Sequence, residues 1–257
     1  MGDDEGSTLR LGGITDMSTV DWYGNVSLVV FFAGCNFRCP YCQNSGLIPV
    51  DSGEEIEIET LRRRIEINLN LLDAVVFTGG EPLLQAEGVM MAAKLVKSFG
   101  LKLMLDTNGS LHRIAERLLD AGLVDRVALD VKAPLTADDY GKVIGLPRLG
   151  AKMVEGVART LELCNSRGVE VEARTTVAPT LSDDPEFIRR IASDIRGRCD
   201  VYYLQQFDNT GNVLSPHLKT LSPPSRETMI QLAEVALHEG VENVYIKTRE
   251  TGLERIG

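Results

Sequence analysis

The sequence predicts an α/β fold in which parallel strands are covered by outer helices. Short apolar runs of strand length recur at 26–32, 74–77, 101–105, 127–131, 169–177, 201–204 and 244–246, and such runs read as buried strands. Helical periods lie between them. Nothing rich in Gly, Pro or Ser splits the chain, and no internal repeat is present. Parallel strands need crossover connections, so a regular β-α alternation implies them. An open doubly wound sheet and a barrel both satisfy the pattern, and 257 residues suit a single-domain α/β barrel.

The helical periods follow in order. Val89, Ala92, Ala93, Val96 and Phe99 repeat at helical spacing, as do Leu111, Ile114, Ala115 and Leu118. Ser110 is the N-cap expected for the second of these, and Gly122 its stop. Cys164 shares a helix face with Val154, Val157, Ala158 and Leu161, which reads as a buried, inert thiol. Cys199, just before a strand, reads the same way. Ile188, Ile191, Ala192 and Ile195 follow Ser182, and Met229, Leu232, Ala233 and Ala236 precede Gly240. Residues 1–23 form an N-terminal extension before the first barrel strand, and 24–257 form one domain.

Composition narrows the function. A net charge of −10 repels phosphate backbones and argues against nucleic-acid binding. No apolar run approaches the roughly 20 residues of a membrane span. The acidic start Met1-Gly2-Asp3-Asp4-Glu5 is unlike a signal peptide, so a cytoplasmic location is expected.

The chemistry concentrates in Gly34-Cys35-Asn36-Phe37-Arg38-Cys39-Pro40-Tyr41-Cys42-Gln43-Asn44, a C-x3-C-x2-C run directly after the first apolar strand. Three thiolates with no fourth ligand nearby suit soft metals, and iron–sulfur clusters are usually held by four cysteines. A [4Fe–4S] cluster on Cys35, Cys39 and Cys42 would leave one iron open to a substrate or cofactor. The spacing also fits one helix face, but a helix would spread the sulfurs over roughly 10 Å. Gly34 and Pro40 favour a loop. The alternative is a zinc site, which needs a fourth ligand; His112, His217 and His238 are all distant in sequence.

Polar motifs follow the strands. Thr78-Gly79-Gly80-Glu81-Pro82 comes after 74–77; the glycines allow close backbone approach and Glu81 can accept from an ammonium. An ordinary strand-to-helix turn would look the same. Asp106-Thr107-Asn108-Gly109 follows the third strand and Asp130-Val131-Lys132 ends the fourth. An Asx-type turn and a surface ion pair are the plain readings; oxygen ligands for a hard cation are the other. Arg174 can clamp a carboxylate or stand as an exposed strand-end charge. Gln205-Gln206-Phe207 closes the next strand.

The cysteine run, with aromatic Tyr41 before its last cysteine, resembles the signature of the radical S-adenosylmethionine (SAM) superfamily. The resemblance covers the chain from about Gly12 to Ile246. It implies a partial (β/α)6 TIM-like barrel, a [4Fe–4S] cluster on Cys35, Cys39 and Cys42, and SAM bound at the open iron. It also implies reductive cleavage of SAM to a 5′-deoxyadenosyl radical, driven by a low-potential electron donor. Tyr41 would contact the adenine, and Gly79, Gly80 and Glu81 would bind the SAM amino group.

Asp106, Thr107, Asp130 and Lys132 resemble SAM contacts of the glycyl-radical-enzyme activating branch. There, both aspartates and the threonine can also hold a monovalent cation. Arg174 would hold the SAM carboxylate or ribose. Together with the run Val20-Asp21-Trp22-Tyr23-Gly24-Asn25, the pattern looks most like activating proteins of anaerobic ribonucleoside-triphosphate reductase. The expected partner is therefore that glycyl-radical enzyme. The alternative target is another peptide or a small metabolite, as in a 7-carboxy-7-deazaguanine synthase-like reaction. One departure stands out: many activases carry His after the third cysteine, where this chain has Gln43.

Overall fold

The computed structural model describes residues 8–257. The chain packs as two compact units. The first unit comprises 8–36, 46–107 and 113–127, and the second 37–45, 108–112 and 128–257.

In the first unit, β1 (Thr8–Ser18) runs antiparallel to β2 (Ser27–Phe32) and to the short edge strand β3 (Glu54–Glu57). Helix α1 (Ile58–Asn68) leads into β4 (Ala74–Gly79), which lies parallel to β2. Helix α2 (Ala86–Ser98) then crosses to β5 (Lys102–Thr107), parallel to β4, and α3 (His112–Asp120) follows. The parallel strands β2, β4 and β5 are mostly apolar, as a parallel sheet buried on both faces requires. Phe32 and Phe77 meet edge to face with centroids 5.2 Å apart in this core. Trp22, in the turn between β1 and β2, is buried with the Arg126 guanidinium 6.0 Å from its ring centre. Of the expected N-terminal extension, residues 8–18 are therefore sheet, and residues 1–7 lie outside the described residues.

Strand β6 (Arg126–Asp130) leads into the second unit, where α4 (Ala137–Val143) and α5 (Gly150–Arg167) precede β7 (Glu170–Val177). Helix α6 (Pro185–Ile195) connects to β8 (Val201–Gln206). Asp184 caps α6 by accepting from the Phe187 N–H at 3.1 Å, with Pro185 preset at the first helical position. Helices α7 (Pro216–Lys219) and α8 (Arg226–His238) lead to β9 (Val244–Thr248), and the antiparallel edge β10 (Gly252–Arg255) ends the series. Strands β7, β8 and β9 are parallel neighbours.

The fold is thus α/β with mostly parallel strands and crossover helices. Each of the seven strands expected from apolar runs is present. Cys164 is fully buried on α5, and burial pushes its thiol up to about 12. Cys199 is half-buried, and burial together with Asp200 also raises it to about 12. No helix of the described residues is long and apolar enough to cross a membrane.

Candidate active site

Four predicted features belong to the first unit: Cys35, the Gly79-Gly80-Glu81-Pro82 turn, Asp106 and Thr107. The chain leaves β2 along a fixed path. The Gly34 N–H donates to Leu47 O at 2.8 Å and the Cys35 N–H to Ile48 O at 3.0 Å. Gly80 and Glu81 return the contact, their N–H groups donating to Phe32 O and Gly34 O, both at 2.8 Å. Both glycines are dictated by this approach. Gly79 has φ +119°, and a Cβ there would sit 2.4 Å from Phe32 O; a Cβ on Gly80 would sit 2.1 Å from Gly34 O. No side chain fits at either position.

Glu81 is fully buried and caps the following turn, accepting from the Leu83 N–H at 3.1 Å. Its Oε1 also accepts from the buried Thr107 hydroxyl at 2.8 Å. Nearer the strands, the hydroxyl of Thr78 on β4 donates to Oδ2 of Asp106 on β5 at 2.8 Å. Two side-chain bonds therefore lace the end of β4 to the end of β5. Sequence reading missed Gln85. Its amide donates to Arg10 O at 2.7 Å and Ala33 O at 3.0 Å, and its Oε1 accepts from the Arg10 N–H at 2.9 Å. This one side chain satisfies backbone groups flanking the cysteine loop.

The second unit carries Cys39, Tyr41, Cys42, Asp130, Lys132 and Arg174. Residues 37–44 form turns and loop rather than helix. The Cys42 N–H donates to Cys39 O at 2.9 Å. The segment after β8 runs alongside: the Ser215 N–H donates to Pro40 O at 2.8 Å, and the Leu214 N–H to Cys42 O at 3.1 Å. Gln43, the departure from His, donates from Nε2 to Asp208 O at 3.2 Å, and the Ser45 hydroxyl donates to Asn212 O. A neutral amide at position 43 thus anchors the loop. Burial raises the Cys42 thiol above its ordinary value, against the lowering pull of Lys132.

Asp130 and Lys132 are no surface pair. Lys132 Nζ, 13% exposed at the side chain, donates to Asp130 Oδ2 at 2.7 Å and lies 5.9 Å from the Tyr41 ring centre. Burial alone would lower its pKa, but attraction to Asp130 prevails and the ammonium is held well above its ordinary value. The Tyr140 hydroxyl donates to Asp130 O at 3.2 Å. Tyr41 is buried, and its hydroxyl meets no partner in the protein; burial holds that phenol well above the ordinary tyrosine value.

Arg174 is likewise not an exposed strand-end charge. It lies within β7, and its Nε donates to Oε1 of Glu172, a carboxylate 1% exposed that sequence reading had overlooked. Of Gln205-Gln206-Phe207, Gln206 is structural. It donates to Pro224 O and accepts from the Arg249 N–H, both at 2.8 Å. Phe207 is core.

These residues fit the expected groups by donor chemistry. No cysteine is disulfide-bonded, so the three motif thiols retain their ligand character. Each thiolate of a cluster binds its own iron, so the sulfurs need not converge on one point. Among the described residues, no three His, Cys, Asp or Glu side chains are grouped as ligands of a single ion. The orphaned Tyr41 hydroxyl, buried beside a cation, suits a polar heteroaromatic ring such as adenine.

Comparison with known proteins agrees. The model of the radical SAM superfamily matches residues 29–191. A protein of Methanocaldococcus jannaschii named as a glycyl-radical enzyme activating enzyme is 32% identical over 238 residues, covering 93% of this chain and 95% of that one. The pyruvate formate-lyase-activating enzyme of Clostridium pasteurianum is 34% identical over 191 residues, covering 73% and 76%. A radical SAM methyltransferase from Sphaerobacter thermophilus shares the fold at 16% identity, with a TM-score of 0.69 over 88% of this chain and 67% of its own. Matched over most of its length by both the family model and these relatives, the chain belongs to the radical SAM superfamily, in its glycyl-radical-enzyme activating branch.

Proposed function

We propose that this enzyme generates the glycyl radical of an anaerobic ribonucleoside-triphosphate reductase. Membership of the family brings a [4Fe–4S] cluster and SAM, and when bound they supply the electron and the 5′-deoxyadenosyl group for hydrogen abstraction. Cys35, Cys39 and Cys42 hold the cluster. Tyr41 offers its hydroxyl and ring to the adenine, and Glu81 receives the amino group. Lys132, held cationic by Asp130, and Arg174, neutralised in part by Glu172, position the anionic and ribose parts of SAM. Gly79 and Gly80 keep the β4 turn close against the start of the cysteine loop. A monovalent cation on Asp106, Thr107 and Asp130 would share carboxylate groups that already accept from Thr78 and Lys132.

The observation that carries the activating role is the half-buried Asp130–Lys132 pair against Tyr41, which directly precedes Cys42 and lies two residues after Cys39. For the partner, support comes from the run Val20–Asn25, which builds the turn that buries Trp22. Pyruvate formate-lyase is the second reading, favoured by the 34% identity to its activating enzyme from C. pasteurianum.

Anaerobic reconstitution with iron, sulfide, reductant and SAM, followed by each candidate partner, tests the proposal. A glycyl doublet in the electron paramagnetic resonance spectrum, matched by 5′-deoxyadenosine and lost in Cys39→Ala, is expected with the reductase. A doublet on pyruvate formate-lyase alone would reassign the partner. SAM cleavage with no radical on either would redirect the search to another peptide or a metabolite.

A further inference from the structure

Asp130 and Lys132 flank Val131, and their side chains meet at 2.7 Å. The main-chain groups between them are all taken. Val131 is held from β7, its N–H donating to Arg174 O at 2.8 Å and its O accepting from the Thr175 hydroxyl at 2.7 Å. The two groups on either side, Asp130 O and the Lys132 N–H, both go to one side chain of α4. The Tyr140 hydroxyl donates to Asp130 O at 3.2 Å and accepts from the Lys132 N–H at 3.5 Å. Tyr140 is fully buried. Burial also raises its phenol above the ordinary value, against the pull of Lys132, so the hydroxyl keeps the proton it donates.

Helix α4 is fixed independently of the turn it grips. Near its start, the Leu135 N–H donates to Asp194 Oδ2 at 2.7 Å and Arg190 donates to Asp139 Oδ2 at 2.6 Å, both partners lying on α6. Just past its end, the Arg38 N–H donates to Ile144 O at 2.9 Å. Gly145 follows with φ +71°, and a Cβ there would sit 2.3 Å from Arg38 O. Only glycine allows that approach. Arg38 directly precedes Cys39. One short segment, 135–145, therefore meets both the cysteine loop and the Asp130–Lys132 turn, and Tyr140 is its contact with the second. Binding groups work only when held within about 0.5 Å of their productive place. Phenylalanine would fill the same space as Tyr140 and leave two main-chain groups of the turn unbonded.

We propose that Tyr140 is a positioning residue for SAM. It holds the Asp130–Lys132 turn in register and, through α4, sets that turn against the cysteine loop. It acts through Asp130 and Lys132 rather than on SAM. The inference rests on the reading of those two residues as SAM contacts.

Calorimetric titration of SAM into the oxidised, reconstituted full-length enzyme measures affinity without turnover. Tyr140→Phe should raise the SAM Kd about tenfold, the effect of one good hydrogen bond, with iron content unchanged. Exchange of the Lys132 amide, followed by NMR in the apo-protein, should accelerate as its acceptor is lost. Tyr202→Phe is the matched control. It removes an equally buried hydroxyl, which donates to Thr175 Oγ1 at 2.9 Å and reaches the turn only through Thr175. Thr175 keeps its own bond to Val131 O, so SAM affinity should hold, and melting curves check that both variants fold. Equal weakening of SAM binding in the two variants would reduce Tyr140 to a packing role and overturn the proposal. Unchanged affinity in Tyr140→Phe, with affinity lost in Lys132→Met, would overturn it while sparing the SAM-contact reading. Undiminished affinity in Lys132→Met would overturn that reading and the positioning role with it.

Discussion

Replacing Gly80 with Ala probes the joint between the two signature motifs. The added Cβ would sit 2.1 Å from Gly34 O, 2.7 Å from Gly34 C and 3.1 Å from Leu47 O, all of them backbone atoms. A carbon and a carbonyl oxygen rest at about 3.3 Å, so the Gly34 peptide must retreat by roughly 1.2 Å. That movement breaks the 2.8 Å bond from the Glu81 N–H to Gly34 O, worth about 1 kcal/mol. The overpacking itself costs about 1–3 kcal/mol. Together they predict about 2–4 kcal/mol of destabilisation and a Tm lower by roughly 5–15 °C for a chain of this size. Since Gly34 precedes Cys35, the displacement should also lower iron incorporation. Urea unfolding of the apo-protein and iron content after reconstitution measure both effects. Gly46→Ala is the control, because a Cβ there meets nothing within 4 Å. A Gly80→Ala protein that unfolds within 0.5 kcal/mol of the parent, with full iron content, would refute the reasoning.

Other residues give independent checks. Tyr41→Phe removes a buried hydroxyl that has no partner, so the apo-protein should be as stable or up to about 1 kcal/mol more stable, while SAM affinity falls; destabilisation beyond 1 kcal/mol would show that the hydroxyl is bonded. Glu81→Gln keeps an acceptor for Leu83 and Thr107, so apo-protein stability should stay within about 1 kcal/mol while calorimetry shows SAM binding weakened tenfold or more. Undiminished binding would leave Glu81 with only its capping role. With pKa values raised to about 12, Cys164 and Cys199 hold a thiolate fraction on the order of 10⁻⁴ at pH 8. Iodoacetamide should leave both unmodified at that pH, and their labelling should climb only as pH rises toward 12. Mass spectrometry showing prompt labelling of Cys199 at pH 8 would contradict this.

The buried parallel strands were legible because burial on both faces demands unbroken apolar runs, as in Val75, Val76 and Phe77. Strands β1, β3 and β10 were not, because antiparallel edges carry polar sequences such as Glu54-Glu55-Ile56-Glu57, which resemble loop. The cysteine run and the Gly-Gly-Glu-Pro turn were legible because both are local in sequence. Their supports were hidden by distance. Gln85 bonds Arg10 across 75 residues, and nothing near either residue announces the pair. The burial of Lys132 escaped for a similar reason, since a charged pair two residues apart reads as surface until packing is known. The polar face of β7 did leave a trace. Glu172, Arg174 and Thr176 alternate with Ala173 and Thr175 at period two, inside a run otherwise read as buried on both sides.

The bonds between the cysteine loop and the segment after β8 bear on the order in which the enzyme is made. Gln43 and Ser45 find their acceptors 165 and 167 residues later in the chain. At ribosomal speeds, roughly 10–30 s separates the emergence of the loop from that of its support. Throughout that interval the turn carrying Cys39 and Cys42 lacks these anchors, whereas Cys35 bonds Ile48 O only 13 residues on. Anchoring of the turn that carries Cys39 and Cys42 therefore waits until residues 208–215 have emerged. A product truncated before residue 208 would keep all three cysteines but lack those anchors.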